Sequence, residues 1–190
     1  MSEGEGFLLA LDLDGTYVRG NTLHIYIRCG LRDMWRRRRI VPLAKCMLLL
    51  AARKLHLVSH RKMKFDIFGL IEPTKELQED FEERVWKRES PEILELVTEY
   101  HDKGYCVLLA TAAPAQYVPL IWGADYVATD MDERTNPGRV ECRGEEKLRR
   151  VEEYASARGL RLKAAITDDA KDDAPLLGAA EERILVKYHS

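Results

Sequence analysis

Short apolar runs alternate with longer segments of helical periodicity at the start of the chain and throughout its second half. Runs of mostly aliphatic residues with the length of buried strands occupy residues 7–13, 105–111, 163–167 and 183–186, with a weaker one at residues 126–129. Because residues 105–111 are apolar almost without interruption, we expect that strand to be buried on both faces of a sheet.

The segments between these runs carry helix signals. Ser90 can cap a helix in which Pro91 takes the first position and which ends near Gly104. Residues 145–157 place their apolar side chains on one stripe of a second helix. Alternating strands and helices predict an α/β fold, a Rossmann-like parallel sheet with helices on both sides in three α/β/α layers.

Residues 21–89 break this alternation, because they contain no convincing strand run. Their patterns predict helices at residues 23–31, 34–55, 59–67 and 74–87. The segment falls between the first and second predicted strands, so we interpret it as a helical cap inserted into the core. Residues 1–20 and 90–190 then form the α/β core.

Composition narrows the functional classes. The 190 residues are 46% hydrophobic and 33% charged with a net charge of −2, which is typical of a globular protein and gives no electrostatic case for nucleic-acid binding. The longest apolar stretch, residues 40–52, contains Lys45 and is too short to span a bilayer, so no stable membrane insertion is expected. The first six residues lack the features of a signal peptide, which favours a cytoplasmic protein. The predicted cap contains an apolar helix that could pair with a second copy of the chain, so a homodimer is also considered.

Polar residues stand where several predicted strands end. Asp12 and Asp14 end the first strand, Thr111 ends the second, and Asp168 and Asp169 follow the third. Because ligands bind beyond the carboxyl ends of parallel strands, these residues are expected to form one site, with Lys147 nearby. Two carboxylates two residues apart on a strand point to the same face and repel each other, which a divalent cation such as Mg²⁺ would relieve.

The sequence around these residues resembles the haloacid dehalogenase superfamily. Residues 11–16, LDLDGT, resemble its first motif, and LLATAAP resembles the second, with Thr111 in the Ser/Thr position. Residues 142–151, CRGEEKLRRV, resemble the third motif with Lys147 as its lysine, and ITDDAKDDAPLL resembles the acidic fourth. The position of the cap resembles that in the branch typified by phosphoserine phosphatase.

This resemblance implies a Mg²⁺-dependent phosphatase acting on a small phosphomonoester. Asp12 would be the nucleophile that forms an aspartyl-phosphate, and Asp14 would protonate the leaving oxygen and then activate water. Thr111, the Ala112 backbone and Lys147 would bind the phosphoryl group. The metal would be held by Asp12, by the backbone carbonyl of Asp14 and by an aspartate of the acidic loop.

The acidic loop allows two alignments. The gap-free match to the family pattern selects Asp169 as the metal ligand and Asp173 as a partner that acts through water or another ligand, whereas placement at the strand end selects Asp168.

Two broader alternatives also remain at this point. The same aspartate chemistry serves phosphoryl transfer to an acceptor other than water, and a non-catalytic binding protein could keep the same fold. The basic run Arg36, Arg37, Arg38 and Arg39 is either a solvated helix face, which is commoner, or part of a surface for anionic or lipid-like phosphates.

Overall fold

The structure, a computed structural model, describes residues 6–188. Residues 1–5, on which most of the signal-peptide inference depends, lie outside the described part. The strands are β1 (Gly6–Leu11), β2 (Cys106–Pro114), β3 (Tyr126–Thr129), β4 (Leu160–Thr167) and β5 (Glu182–Leu185). The α-helices are α1 (Thr22–Arg36), α2 (Ile40–Lys54), α3 (His60–Phe68), α4 (Lys75–Trp86), α5 (Pro91–Asp102), α6 (Glu145–Ala157) and α7 (Ala174–Ala179).

The five strands form one parallel sheet in the order β3-β2-β1-β4-β5. This confirms the predicted Rossmann-like fold. From β1 the chain adds β2 and β3 on one side of the sheet and then β4 and β5 on the other. The carboxyl ends of β1, β2 and β4 therefore lie beside one another at the centre of the sheet.

The central strand β1 is buried on both faces because its side chains alternate between two apolar clusters. Leu9 and Leu11 belong to the cluster that includes α5 and the buried faces of α1 to α4. Leu8 and Ala10 belong to the cluster that includes α6 and α7. The period of two along the strand therefore separates the two helical layers of the α/β/α core.

Helices α1 to α4 follow one another between β1 and α5, within the segment interpreted as a cap. The single helix expected at residues 34–55 is wrong, because α1 continues to Arg36 and a turn at Arg37–Arg39 precedes α2. Arg38 adopts a φ of 55° in this turn. A continuous helix would hold the buried side chains of Met34 and Cys46 about 120° apart around its axis, and the turn lets both face the interior.

Aromatic side chains join these helices to the core. Tyr117, which follows β2, lies with its ring 5.0 Å from that of Tyr26 in α1 and 4.8 Å from that of Phe81 in α4. Its hydroxyl is 2.9 Å from that of Thr22. The start of α1 is thereby held against the end of β2. Within residues 6–188, none of the helices combines the length and apolarity needed to cross a bilayer.

Candidate active site

A cavity of about 450 Å³ opens at the carboxyl ends of β1, β2 and β4. Its wall is completed by residues of α3 and by the segment that leads into α6. The residues that sequence analysis selected for the site all line it, namely Asp12, Asp14, Thr111, Ala112, Lys147, Asp168, Asp169 and Asp173. Residues up to 161 positions apart in the chain are therefore brought into one polar cavity by the parallel sheet.

Asp12 lies one residue beyond β1 and is 7% exposed. Its backbone N–H donates to the carbonyl of Ile166 in β4 at 2.9 Å, which continues the strand pairing and fixes the residue. Burial raises the pKa of Asp12 to about 7, although the neighbouring Lys147 opposes this rise and Asp173 adds to it. Asp12 is thus a carboxylate that needs a cation beside it to stay ionised.

Lys147, in the first turn of α6, supplies one such cation. Its Nζ lies 2.9 Å from Oδ1 of Asp12 and 2.7 Å from Oδ1 of Asp173, and all three side chains are almost completely buried. Burial alone would lower the pKa of Lys147, but the two carboxylates outweigh it and raise the pKa above its ordinary value. Asp173 is held in turn by the hydroxyl of Thr167, which donates to its Oδ2 at 2.6 Å.

Asp14 does not share a strand face with Asp12 as the sequence had suggested, because β1 ends at Leu11 and the chain then turns. Gly15 adopts a φ of +80° in this turn, a conformation that side chains disfavour. The Oδ1 of Asp14 accepts the backbone N–H of Thr22 at 2.6 Å. Burial raises the pKa of Asp14, and the hydrogen bond from Thr22 opposes the rise.

Thr111 and Ala112 lie inside β2, which runs three residues further than expected, to Pro114. The Oγ1 of Thr111 accepts the N–H of Ala113 at 3.0 Å. This bond uses a lone pair of the Thr111 hydroxyl and leaves its proton to be donated to another acceptor. The carbonyl of Ala112 accepts the Oγ1–H of Thr129 at 2.8 Å. These bonds fix the strand end that faces the cavity.

Both candidate metal ligands of the acidic loop, Asp168 and Asp169, line the cavity. Asp168 lies against the backbone of Gly15, where a Cβ would come within 2.0 Å of its Oδ2, and it accepts a long 3.4 Å hydrogen bond from Thr16. Asp169 uses its Oδ1 to accept the N–H groups of Lys171 and Asp172 at 3.0 and 2.9 Å. Asp168 therefore packs on the turn after β1, whereas Asp169 organises the loop through one of its two oxygens.

The donor set of this cavity fits Mg²⁺. Asp12, Asp14 and Asp168 all have pKa values raised mainly by burial, and like charges contribute at Asp12 and Asp168, so the carboxylates are short of compensating charge. Among residues 6–188, no three His, Cys, Asp or Glu side chains converge as a complete metal centre. Mg²⁺ ordinarily takes one or two carboxylates and completes its shell with water and substrate oxygens, which this arrangement leaves room for.

The cavity also contains a buried lysine from α3 that was not predicted from the sequence. Lys64 is 3% exposed, and its Nζ donates to the carbonyl of Ala112 at 2.7 Å and to Glu141 at 2.6 Å. Both Lys64 and Glu141 line the cavity together with His60. Lys64 was not singled out because it follows Arg61 and Lys62 in a basic run, and nothing local separates it from its exposed neighbours.

Comparison with protein families gives the decisive match. The sequence profile of haloacid dehalogenase-like hydrolases aligns with residues 9–177, which include every motif described above. The chain belongs to this family. It is a haloacid dehalogenase-like hydrolase by sequence and by fold, and the resemblance stated from its motifs is confirmed. No curated protein matches the chain in sequence.

Solved structures share the fold of this hydrolase. A protein of unknown function from Bordetella pertussis Tohama I has a TM-score of 0.70 at 20% identity, over 95% of this chain and 90% of its own. A phosphoserine phosphohydrolase-like protein from Francisella tularensis subsp. tularensis SCHU S4 scores 0.56 at 16% identity, over 94% and 86%. A substrate-bound phosphoserine phosphatase scores 0.58 at 16% identity, over 96% and 87%.

Proposed function

We propose that this hydrolase is a Mg²⁺-dependent phosphatase that cleaves a small phosphomonoester through an aspartyl-phosphate on Asp12. The observation that carries the proposal is the buried contact of Asp12 with Lys147, which Asp173 supports from the other side at 2.7 Å. A nucleophile that approaches a phosphate dianion has to be both buried from water and compensated in charge, and this arrangement provides both.

In the proposed reaction, an oxygen of Asp12 attacks phosphorus and the bond from phosphorus to the ester oxygen breaks. Asp14 gives its proton to the departing oxygen, and a burial-raised pKa suits a carboxyl group that has to carry this proton. Asp14 then takes a proton from a water molecule that attacks phosphorus, which releases phosphate and regenerates Asp12. Lys147 and the Thr111 hydroxyl would hold the phosphoryl oxygens during both steps.

Asp12, the backbone carbonyl of Asp14 and Asp169 are the proposed ligands of Mg²⁺, which would neutralise phosphoryl charge when bound. Asp169 is preferred to Asp168 because the gap-free alignment of the fourth motif selects it. Asp173 then acts by holding Lys147 and not by binding the metal, since its two oxygens face Lys147 and Thr167.

The cavity supports a small, polar substrate. Its volume is about 450 Å³, and beyond the proposed phosphate site it presents charged groups of both signs, including Lys64, Glu141 and His60. These residues are the candidates for contacts with the leaving group, since they lie at the boundary between α3 and the core.

A panel of phosphorylated metabolites and an aryl phosphate, assayed for phosphate release with and without Mg²⁺, tests the proposal. We expect Mg²⁺-dependent release by the wild type and a loss of at least about 10⁴-fold in kcat for Asp12→Asn, which removes the nucleophile. Leu94→Glu, an exposed change on α5, is the matched control and should retain activity. Equal rates for Asp12→Asn and wild type would refute the proposal.

The same panel separates the other functions of this fold. Transfer of the phosphoryl group to an added alcohol in preference to water would identify a phosphotransferase. Binding of phosphate esters without turnover would identify a non-catalytic protein, an outcome that the compensated Asp12 nucleophile disfavours.

A further inference from the structure

The outward face of α2 is a continuous apolar stripe exposed on the surface. Ile40, Val41, Met47, Leu48 and Leu55, the last at the end of the helix, are 54–71% exposed. Their spacing, together with the exposed Ala44 and Ala51, follows the period of one helix face. Cys46 is the buried residue of α2, and it lies on the opposite side. Monomeric proteins seldom expose a stripe of this kind without a partner.

Two further large apolar side chains are exposed close in sequence to the two ends of α2. Trp35, at the end of α1, is 68% exposed, and Leu57, in the turn after α2, is 73% exposed. Tryptophan is enriched where a protein meets the interface of a membrane, since its ring is apolar and its N–H is polar. We define the outward stripe of α2 together with Trp35 and Leu57 as the α2 face.

The segment that forms the α2 face is strongly basic. Residues 34–65 contain ten of the 30 Lys and Arg residues of the chain and none of its 32 Asp and Glu residues. Within the described part of the chain, several of these cations make no ion pair, namely Arg36, Arg38, Lys45, Arg53 and Lys54. The carboxylates beside Leu48, those of Asp66 and Glu133, are already paired with Arg139.

We propose that the α2 face docks this protein on the surface of an anionic lipid bilayer. A helix of 15 residues is about 22 Å long, too short to span the hydrocarbon but long enough to lie in the plane of the interface with one side buried. Lys45 and Lys54 lie at the margins of the stripe in helical projection, where they would reach lipid headgroups. Basic residues at both ends of α2 would add electrostatic attraction.

The positive charge of the α2 face disfavours a second copy of the chain as its binding partner. A two-fold symmetric contact places the same patch of both subunits face to face. Two such patches would bring their unpaired cations together, which opposes association in the absence of bound anions. An anionic bilayer complements both the apolar stripe and the positive charge.

Sedimentation with lipid vesicles tests the proposal and does not depend on the hydrolase activity. The vesicles are pure phosphatidylcholine or phosphatidylcholine with about 30% phosphatidylglycerol, and the protein is the full chain. We expect binding to the anionic vesicles that weakens in 0.5 M salt, because salt screens the exposed cations. We expect much weaker binding to the neutral vesicles.

Two kinds of variant separate the apolar and basic contributions. Leu48→Glu should weaken binding at least about tenfold, since it removes a buried leucine contact with the bilayer. Arg38→Gln and Lys54→Gln should each weaken it about fivefold. Leu94→Glu, an equally drastic change at an exposed leucine of α5, should bind as the wild type does.

Several results would overturn the proposal. Equal binding to neutral and anionic vesicles, no binding to either, or undiminished binding by Leu48→Glu would each refute it. A wild-type dimer in sedimentation velocity that Leu48→Glu dissociates would show that a second copy covers the α2 face instead. Unchanged unfolding curves for the exposed-residue variants confirm that they are folded.

Discussion

At the scale of single residues, the site depends on buried charges that compensate one another. Asp12, Lys147 and Asp173 form a chain of contacts of 2.9 and 2.7 Å that places a buried cation between two buried carboxylates. The motifs predicted Asp12 and Lys147 because their residue types and local context are distinctive. The contact between Lys147 and Asp173 could not be predicted, since it depends on how α6 docks against β4.

The two aspartates of the acidic loop differ in how they are held, which gives a residue-level prediction. Asp169→Asn should raise the Mg²⁺ concentration needed for half-maximal activity by at least about 10-fold, because losing a proposed metal ligand should cost no less than losing a residue that merely orients one. Asp168→Asn, the matched control, should change this concentration less. Activity titrated with Mg²⁺ checks the prediction, and the reverse order would assign the ligand to Asp168.

The raised pKa of Asp12 predicts how stability changes with pH in the metal-free protein. Folding raises this pKa from 3.8 to about 7, so the folded state binds the proton more tightly than the unfolded chain does. The stabilising contribution is therefore complete below about pH 4 and is lost as the pH rises through about 7.

Denaturation in urea with EDTA present, between about pH 5 and pH 8, measures this effect. Asp12→Asn lacks the ionisation, so its free energy of unfolding should rise relative to that of the wild type as the pH increases. A constant difference across this range would contradict the buried, titrating carboxyl group.

At the scale of secondary-structure elements, the sequence predicted all five strands and most helices, because apolar periodicity is a local property. The prediction of helices was wrong where contacts between elements help to determine the local structure. The turn at residues 37–39 lets both flanking helices bury a face, and its local signal is Pro42, which is tolerated in the first turn of α2 but disfavoured inside a continuous helix. The short helix α7 was also missed, since six residues carry too little periodicity to detect.

Lys64 links α3 to β2, and its removal should lower the stability of the protein. Lys64→Met leaves the carbonyl of Ala112 and the carboxylate of Glu141 without their buried cation, so we expect the free energy of unfolding to fall by about 1–3 kcal/mol.

Lys62→Met is the matched control in the same helix, because Lys62 is exposed and should contribute within about 0.5 kcal/mol. Thermal or urea unfolding of both variants measures the difference. Equal effects would show that the contact of Lys64 with the core contributes nothing to stability.

At the scale of the whole molecule, the parallel sheet explains why the residues selected from the sequence line one cavity. The ends of β1, β2 and β4 meet wherever such a sheet forms, so residues that follow the strands must converge. The other half of the cavity wall, with Lys64 and His60, was not predicted because helices α1 to α4 carry no motif and their docking is set by packing. The same packing leaves the α2 face exposed.

The central claim is that Asp12 becomes phosphorylated during turnover. Borohydride reduces an aspartyl-phosphate to homoserine, so quenching Mg²⁺-dependent turnover of an aryl phosphate with borohydride, followed by peptide mass spectrometry, locates the intermediate. We predict homoserine at position 12 in the wild type, more of it in Asp14→Asn, where hydrolysis of the intermediate is slowed, and none in Asp12→Asn. Turnover with an unmodified Asp12, or with the modification at another residue, would contradict the account.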